Sequence, residues 1–161
     1  MKKAGKKEIL QKLINIFSKY KNISTLVKEE AEVLFGPDDN KCLLLQYVRE
    51  ILGTVNITQI RRFFSHIRNL EVAWMDKPAM KELDKSDLVE LRKFMMFIRY
   101  AIGRKYLDPS LKDFFSVLIQ RIYTYEDFRR FVDIFEALIA YYMYLSTVEK
   151  KKRAKKPIRA R

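Results

Sequence analysis

Apolar residues recur at every third or fourth position along most of this chain, which is the spacing of helices that bury one face. One such stripe follows Thr58 and another follows Ser86, and both residues are placed to cap a helix N-terminus. A third stripe follows Thr124, with Asp127 at the third helical position as its capping partner. No useful length of chain alternates with a period of two. The pattern therefore predicts an all-α fold.

The predicted helices form one compact domain. Polar stretches around Pro37, Pro78 and Pro109 separate the apolar stripes. This gives about six helices, or seven when the short second segment is counted separately, at residues 6–21, 24–34, 39–52, 58–74, 86–102, 110–122 and 125–145. A chain of 161 residues suits a single core. We expect a helical bundle domain at residues 1–148 and a basic, disordered tail at residues 149–161.

Composition limits the fold class and the cellular compartment of this domain. The apolar content of 48%, with 11 Phe and 9 Tyr, provides a substantial core, and only four Gly and four Pro argue against an all-β fold. Cys42 is the only cysteine, which excludes an intramolecular disulfide and a multi-cysteine zinc site. No apolar run reaches the length of about 18–20 residues that spans a bilayer. The sequence therefore predicts a cytoplasmic protein with no membrane partner.

Positive charge is segregated along the chain. The formal net charge is +13, but residues 8–148 are nearly neutral, with 21 cations and 19 acids. Within them, residues 51–70 and 91–107 contain no acid, and each reads as an amphipathic helix. These two stretches carry Arg61, Arg62 and Arg68, and Arg92, Lys93, Arg99, Arg104 and Lys105. Because mixed signs stabilise a solvated helix face, acid-free basic faces point to a polyanion as the partner.

The spacing within these helices suits a phosphate backbone. Arg61 and Arg68 lie two turns apart at the edge of one stripe, and Arg92 and Arg99 lie two turns apart on the next helix. Seven residues of helix separate guanidinium groups by about 10 Å along the axis, and each group presents a planar fork to phosphate oxygens. An acidic partner helix would fit the same spacing. Nucleic acid and protein partners therefore both stay open at this point.

The sequence offers no catalytic constellation. His66, the only histidine, falls at the border of an apolar stripe, where a lone histidine is usually packed or hydrogen-bonded. No cluster has the spacing of metal ligands, and no Gly-rich phosphate loop is present. The phenylalanines fall at core spacing rather than on a base-stacking platform. We therefore predict no catalytic residue, metal or cofactor, with a ribonuclease that relies on His66 as the weakest alternative.

Three segments, taken together, resemble a known family. They are residues 57–64 (ITQIRRFF), 98–105 (IRYAIGRK) and 131–141 (FVDIFEALIAY). In this order and at these separations they resemble the three sequence blocks of the small helical subunit of type III-A CRISPR effector (Csm) complexes, over residues 57–145. The resemblance implies a non-catalytic subunit of an RNA-guided antiviral complex. Such subunits stack in several copies along the guide RNA and its paired target.

The resemblance also assigns residues and partners. It puts Gln59, Arg61 and Arg104 at sites matched to the family blocks, and it implies that Gly103 lets the chain bend or approach a neighbour closely. The third block is interpreted as core or subunit contact. The implied partners are guide RNA, target RNA, the other subunits and further copies of the chain, as a dimer or filament. Together with the basic helices, this gives the candidate nucleic-acid-binding residues Gln59, Arg61, Arg62, Arg68, Arg92, Arg99, Arg104 and Lys105.

These residues predict recognition of the RNA backbone. Cations that neutralise phosphates add affinity but carry little sequence information, so base pairing between guide and target would read the sequence. The alternative is a helical adaptor that uses its basic faces on acidic protein partners, with incidental RNA binding. Residues 1–55 match none of the family blocks, and the basic tail is not a hallmark of the family.

Overall fold

The computed structural model describes residues 2–155, with side chains from residue 5 onward. This part of the chain folds into helices and contains no β-strand. The predicted all-α class is confirmed, with eight α-helices in these residues rather than six or seven. The elements are α1 (Lys2–Ser18), α2 (Ile23–Glu29), α3 (Ala31–Phe35), α4 (Leu43–Ile51), a 3₁₀ turn (Leu52–Thr54), α5 (Ile57–Ala73), α6 (Lys85–Gly103), α7 (Ser110–Ile119) and α8 (Tyr125–Lys155).

Polar contacts of Asp38 move one predicted helix start, and another predicted helix is divided in two. The predicted helix at residues 39–52 begins only at Leu43, because Asp38 folds the preceding residues into a turn. The Asp38 carboxylate accepts a hydrogen bond from the Asn40 N–H at 2.9 Å, and its carbonyl accepts one from the Cys42 N–H at 2.9 Å. The predicted second segment is also divided, into α2 and α3. This division accounts for the additional helix.

The predicted cap of α5 at Thr58 is wrong. Asn56 caps this helix, since its side-chain oxygen accepts a hydrogen bond from the Gln59 N–H at 3.3 Å, and Thr58 lies inside the first turn. Both residue types cap helices well, so sequence alone did not rank them. The cap places Gln59 in the first turn of α5, where it is half-buried.

The predicted cap of α6 at Ser86 is also wrong. The helix begins one residue earlier, at Lys85, directly after Asp84. Asp84 makes no side-chain cap because its carboxylate lies 2.9 Å from the Lys77 ammonium and 3.0 Å from that of Lys81. Hydrogen bonding to Lys77 and then Lys81 holds the pKa of Asp84 at about 2. The carboxylate is therefore committed to the loop rather than to the helix.

The predicted capping pair at the start of α8 is confirmed. Thr124 Oγ1 accepts a hydrogen bond from the Asp127 N–H at 3.1 Å, and Asp127 Oδ2 accepts one from the Thr124 N–H at 3.1 Å. Asp127 is buried, and its other oxygen accepts hydrogen bonds from the N–H and hydroxyl of Ser24 on α2, at 3.0 and 2.6 Å. One carboxylate thus caps α8 and attaches α2 to it.

The core is built around α8, which packs against α2, α4 and α5. Phenylalanine rings join it to α6 and α7: the Phe115 centroid lies 5.1 Å from that of Phe135 and 5.2 Å from that of Phe94, and Phe94 lies 5.9 Å from Phe135. Aromatic ring pairs at such distances stabilise the core beyond the burial of apolar area. The core role is confirmed for the predicted phenylalanines Phe63, Phe114, Phe115, Phe128, Phe131 and Phe135, and the seventh, Phe64, is half-buried against them.

Helix α8 ends ten residues beyond the predicted position. The predicted basic tail from residue 149 starts as an exposed continuation of α8 to Lys155, and residues 156–161 lie outside the described residues. Among the described residues, α8 is the one helix long and apolar enough to cross a membrane by length and composition. The apolar side chains on one face of α8, Phe131 and Phe135 among them, are buried against other helices, whereas Met143 and Tyr144 are exposed. The buried face of α8 is therefore used in the core of this fold.

A second buried carboxylate, that of Asp108, ties three parts of the fold together. Its Oδ2 accepts hydrogen bonds from the Thr54 hydroxyl at 2.6 Å and the Lys6 ammonium at 3.0 Å, and its Oδ1 accepts from the Ser110 hydroxyl at 2.6 Å and N–H at 2.9 Å. Burial alone would raise the pKa of Asp108. The hydrogen bonds from Ser110, Thr54 and Lys6 outweigh burial and hold that pKa below its ordinary value.

This arrangement predicts an acid-dependent loss of stability. A carboxylate with a lowered folded-state pKa contributes stability in full above its unfolded pKa of about 4 and loses it as the pH falls through the folded value. We expect Asp108→Asn to lower the free energy of unfolding by about 1–3 kcal/mol at pH 7. The difference from the unaltered chain should shrink at pH 3 and below, measured by urea unfolding.

The control for this experiment is Asp113, which is exposed on α7. Asp113→Asn should stay within about 0.5 kcal/mol of the unaltered chain across the same pH range. A difference for Asp108→Asn that does not change with pH would contradict the role given to its ionised form.

Candidate nucleic-acid interface

The arginines of α5 lie on two sides of the helix. Arg61 and Arg68 lie on the side that faces α8: Arg61 Nη2 donates to Met143 Sδ at 3.2 Å, and Arg68 shares a shallow cleft with α8 side chains. Arg68 Nη1 also lies 3.0 Å from Glu71 Oε1. Arg62 is exposed and makes no ion pair within the described part of the chain. Arg62 is therefore more available to a phosphate than Arg68.

The arginines of α6 lie on the side of α6 that faces away from α5. Phe97 of α6 lies edge-on to His66 of α5, with centroids 6.0 Å apart, whereas Arg92 and Arg99 face α7. There they form one wall of a cleft of about 410 Å³ between α6 and α7, which we call the α6–α7 groove. Both arginines are exposed. This groove brings together the two α6 cations that sequence spacing paired.

The last two predicted cations lie where α6 ends. The Arg104 guanidinium lies 5.9 Å from the centre of the Tyr106 ring, and hydrogen bonding to Tyr106 raises the pKa of Arg104 above its ordinary value. Lys105 has a φ of 62°, in the left-handed region, and it turns the chain out of the helix. Gly103 has no positive φ, so the left-handed turn after α6 falls at Lys105 instead. A Cβ added to Gly103 would meet no atom of this chain within 4 Å.

The predicted residues do not form one continuous face. They divide into the α8-facing side of α5 (Arg61 and Arg68), the α6–α7 groove (Arg92 and Arg99) and the end of α6 (Arg104 and Lys105), with Arg62 exposed on α5 and Gln59 in its first turn. Core packing sets this division, because α8 covers one flank of α5 and α7 covers the far flank of α6. Any partner of all these residues must therefore contact several sides of the domain.

The interpretation of α5 and α6 as purely basic helices is wrong. Each helix extends beyond its acid-free stretch and gains acids, including Glu71 on α5 and Glu90 on α6. Glu71 pairs with Arg68, and Glu90 pairs with Lys93, each at 3.0 Å and three residues apart. Such pairs support the helix in the ordinary way. They leave Arg68 and Lys93 less available to an external anion than the unpaired cations.

Two features near these cations were not predicted. Tyr123, between α7 and α8, is 47% exposed and lines the α6–α7 groove. On the outer side of α6, Val89, Met96 and Tyr100 are all more than half exposed. Two signals in the sequence could have found them. Tyr123 lies outside the helical stripes, and the three apolar residues of α6, seven and then four positions apart, form a second series beside the core stripe.

His66 is half-buried at the border of the α5 stripe, as predicted. Its Nε2 is buried without a hydrogen-bond partner in the described structure, and its ring packs against Phe97. Between residues 2 and 155, no three His, Cys, Asp or Glu side chains are grouped as metal ligands. The Cys42 thiol is buried beside the Tyr141 hydroxyl, at 3.7 Å.

Comparison with known proteins gives one match. A family model described as Csm2 Type III-A matches residues 46–147, a range that contains all eight candidate residues. Neither a curated protein nor a solved structure matches the chain. Because the matched range is more than half of the chain, this protein belongs to the Csm2 Type III-A family, the small subunits of type III-A CRISPR Csm complexes. The family resemblance found in the three sequence blocks is thereby confirmed, and its range extends eleven residues farther toward the N-terminus.

Proposed function

We propose that this protein is a non-catalytic small subunit of a type III-A effector complex in the cytoplasm. In that role it binds the backbone of the guide RNA and its paired target and stacks against neighbouring subunits in antiviral defence. Family membership supports the place in the complex. The observation that carries the RNA contact is a set of exposed cations that make no ion pair in the described structure: Arg61, Arg62, Arg92, Arg99, Arg104 and Lys105.

Unpaired cations favour binding to a polyanion because they are not already neutralised. A guanidinium that neutralises a phosphate releases condensed counterions from the nucleic acid, which strengthens binding at low salt. Arg68 and Lys93 would first have to leave Glu71 and Glu90. The proposal therefore ranks the candidate residues: the unpaired cations bind RNA, and Arg68 adds little. Backbone contacts of this kind leave sequence recognition to guide–target pairing.

The first test of this proposal is the salt dependence of RNA affinity. For the double variant Arg61→Ala/Arg104→Ala, we expect the slope of log K against log salt to become shallower by about two units in total. Affinity should fall equally for RNAs of different sequence, because phosphate contacts carry no base information. Fluorescence anisotropy with labelled single-stranded and duplex RNA over a range of salt concentrations measures both effects.

The chain offers a matched control in Arg68→Ala/Lys93→Ala. This variant also removes two positive charges, one from α5 and one from α6, but both side chains are held in ion pairs. We expect it to change the slope by less than one unit. Equal effects from the two variants would show that net charge alone drives binding and would contradict the assignment to particular residues.

A second candidate is the helical adaptor that binds acidic protein partners. The observation that favours it is the exposed apolar side of α6, where Val89, Met96 and Tyr100 face solvent beside cations. Exposed apolar groups of this kind are typical of contact surfaces between proteins. In the salt experiment, an adaptor would show weak RNA binding that neither double variant changes.

A further inference from the structure

The α6–α7 groove has more features than contact with a phosphate backbone requires. Arg92 and Arg99 stand on its α6 wall, while Met95, Ile119 and Ile122 contribute apolar surface and are themselves buried. Its volume of about 410 Å³ lies in the range of small-molecule sites. A phosphate backbone bound along a convex helix surface needs only cations. A concave, partly apolar cleft beside two cations also fits a flat aromatic ring that is joined to a phosphate.

An aromatic residue with a fixed backbone lies at the edge of this cleft. Tyr123 lines the groove with 47% of its surface exposed, and its backbone is held on both sides: its N–H donates to Asp127 Oδ2 at 3.0 Å and its carbonyl accepts from the Leu83 N–H at 2.9 Å. Because the backbone is held in place, little conformational freedom is lost when a ring stacks on the tyrosine. A nucleobase stacked on an aromatic side chain gains about 1–3 kcal/mol.

Charge and hydrogen-bonding capacity agree with this ligand. No acidic side chain lines the groove, and neither Arg92 nor Arg99 is ion-paired in the described structure. The Gln120 amide also lines it and donates one hydrogen bond to Ser116 Oγ at 3.1 Å, which leaves its carbonyl oxygen for a base edge. The groove therefore combines phosphate-binding, stacking and hydrogen-bonding groups within one cleft.

We propose that the α6–α7 groove binds one unstacked nucleotide, with its base against Tyr123 and its phosphate on Arg92 or Arg99. The inference rests on the proposed function for its RNA source, since the nucleotide could belong to a single-stranded part of the RNA. A free nucleoside monophosphate has the same chemistry. The test must separate these two sources, and it must also separate base stacking from contact with the backbone.

The test compares Tyr123→Ala with Tyr123→Phe in the full chain. Tyr123→Ala should weaken the affinity for single-stranded RNA about tenfold, because the stacking surface is lost. Tyr123→Phe should retain that affinity, since it keeps the aromatic face. Binding to duplex RNA, whose bases are already stacked, should not change in either variant. Circular dichroism melting checks that both variants keep the fold.

Single-stranded RNA with abasic sites provides the control for the base. It should bind the unaltered chain about tenfold more weakly than intact RNA, and Tyr123→Ala should cause no further loss. Competition by AMP that depends on Tyr123 would support a pocket that also accepts a free nucleotide, and its absence would assign the pocket to RNA.

The outcomes separate this proposal from the proposed function. If Tyr123→Ala binds intact and abasic RNA as well as the unaltered chain does, while Arg61→Ala/Arg104→Ala still changes the salt slope, the nucleotide pocket is overturned and backbone binding stands. If the unaltered chain binds no RNA but binds AMP through Tyr123, the pocket stands and backbone binding fails. Absence of both kinds of binding overturns both.

Discussion

Replacing Phe115 by alanine is expected to lower the free energy of unfolding by about 3–5 kcal/mol. Phe115 is fully buried on α7, and its ring contacts Phe94 of α6 and Phe131 and Phe135 of α8. Removing a ring from such a site loses its burial and leaves a cavity that the surrounding helices fill only in part. The large expected effect follows from its position, since one side chain joins three helices.

Urea unfolding followed by far-ultraviolet circular dichroism measures this loss. The comparison is Met96→Ala, which removes an apolar side chain from α6 that is 54% exposed, and which should change the free energy by no more than about 0.5 kcal/mol. A similar loss in both variants would place the core elsewhere. The α6–α7 groove should also lose affinity for the proposed nucleotide in Phe115→Ala, because α6 and α7 pack on each other through the Phe115–Phe94 contact.

Periodicity predicted which residues are buried better than it predicted where helices begin. A stripe such as Phe128, Phe131 and Phe135 extends over several turns, so it can be recognised even when the helix start is predicted one residue away from its true position. A helix start depends on one hydrogen bond, and near α5 both Asn56 and Thr58 could accept it. Packing of the preceding loop decides between such neighbours. The capping pair of Thr124 and Asp127 was predictable because two residues had to agree.

The candidate site was predictable as a set of residues but not as a surface. A helical wheel shows that Arg61 and Arg92 border their apolar stripes, yet it does not show which helix lies beyond each border. In the fold, Arg61 meets α8 and Arg92 meets α7. The ion pairs of Arg68 and Lys93 lie with acids just outside the acid-free stretches. Local spacing of three residues therefore decides which of these cations are paired within a helix. Tertiary packing decides on which surface each unpaired cation lies.

Replacing Asp127 by alanine is the second change with a large expected effect, a loss of about 3–5 kcal/mol in the free energy of unfolding. Asp127 is 2% exposed, and its two oxygens accept four hydrogen bonds: two from Ser24, one from the Tyr123 N–H and one from the Thr124 N–H. Removal would leave these donors without a partner at the junction of α2 and α8, and buried donors that lose a charged acceptor are costly.

Asparagine separates the effect of shape from that of hydrogen bonding at this position. Asp127→Asn keeps the size of the side chain, but it places an NH₂ group against the donors of either Ser24 or the Tyr123–Thr124 segment, so about half of the hydrogen bonds should be lost. We expect the stability of Asp127→Asn in urea unfolding to lie between those of the unaltered chain and Asp127→Ala. Ser24→Ala should lose about 1 kcal/mol.

The exposed α8 residue Glu136 gives the control, with a change below about 0.5 kcal/mol for Glu136→Ala. If Asp127→Asn were as stable as the unaltered chain, the carboxylate would not be needed as a double acceptor. One of the hydrogen bonds of Asp127 holds the backbone of Tyr123. Asp127→Asn should therefore also weaken binding of single-stranded RNA when the fold is intact, which links the stability of this junction to the α6–α7 groove.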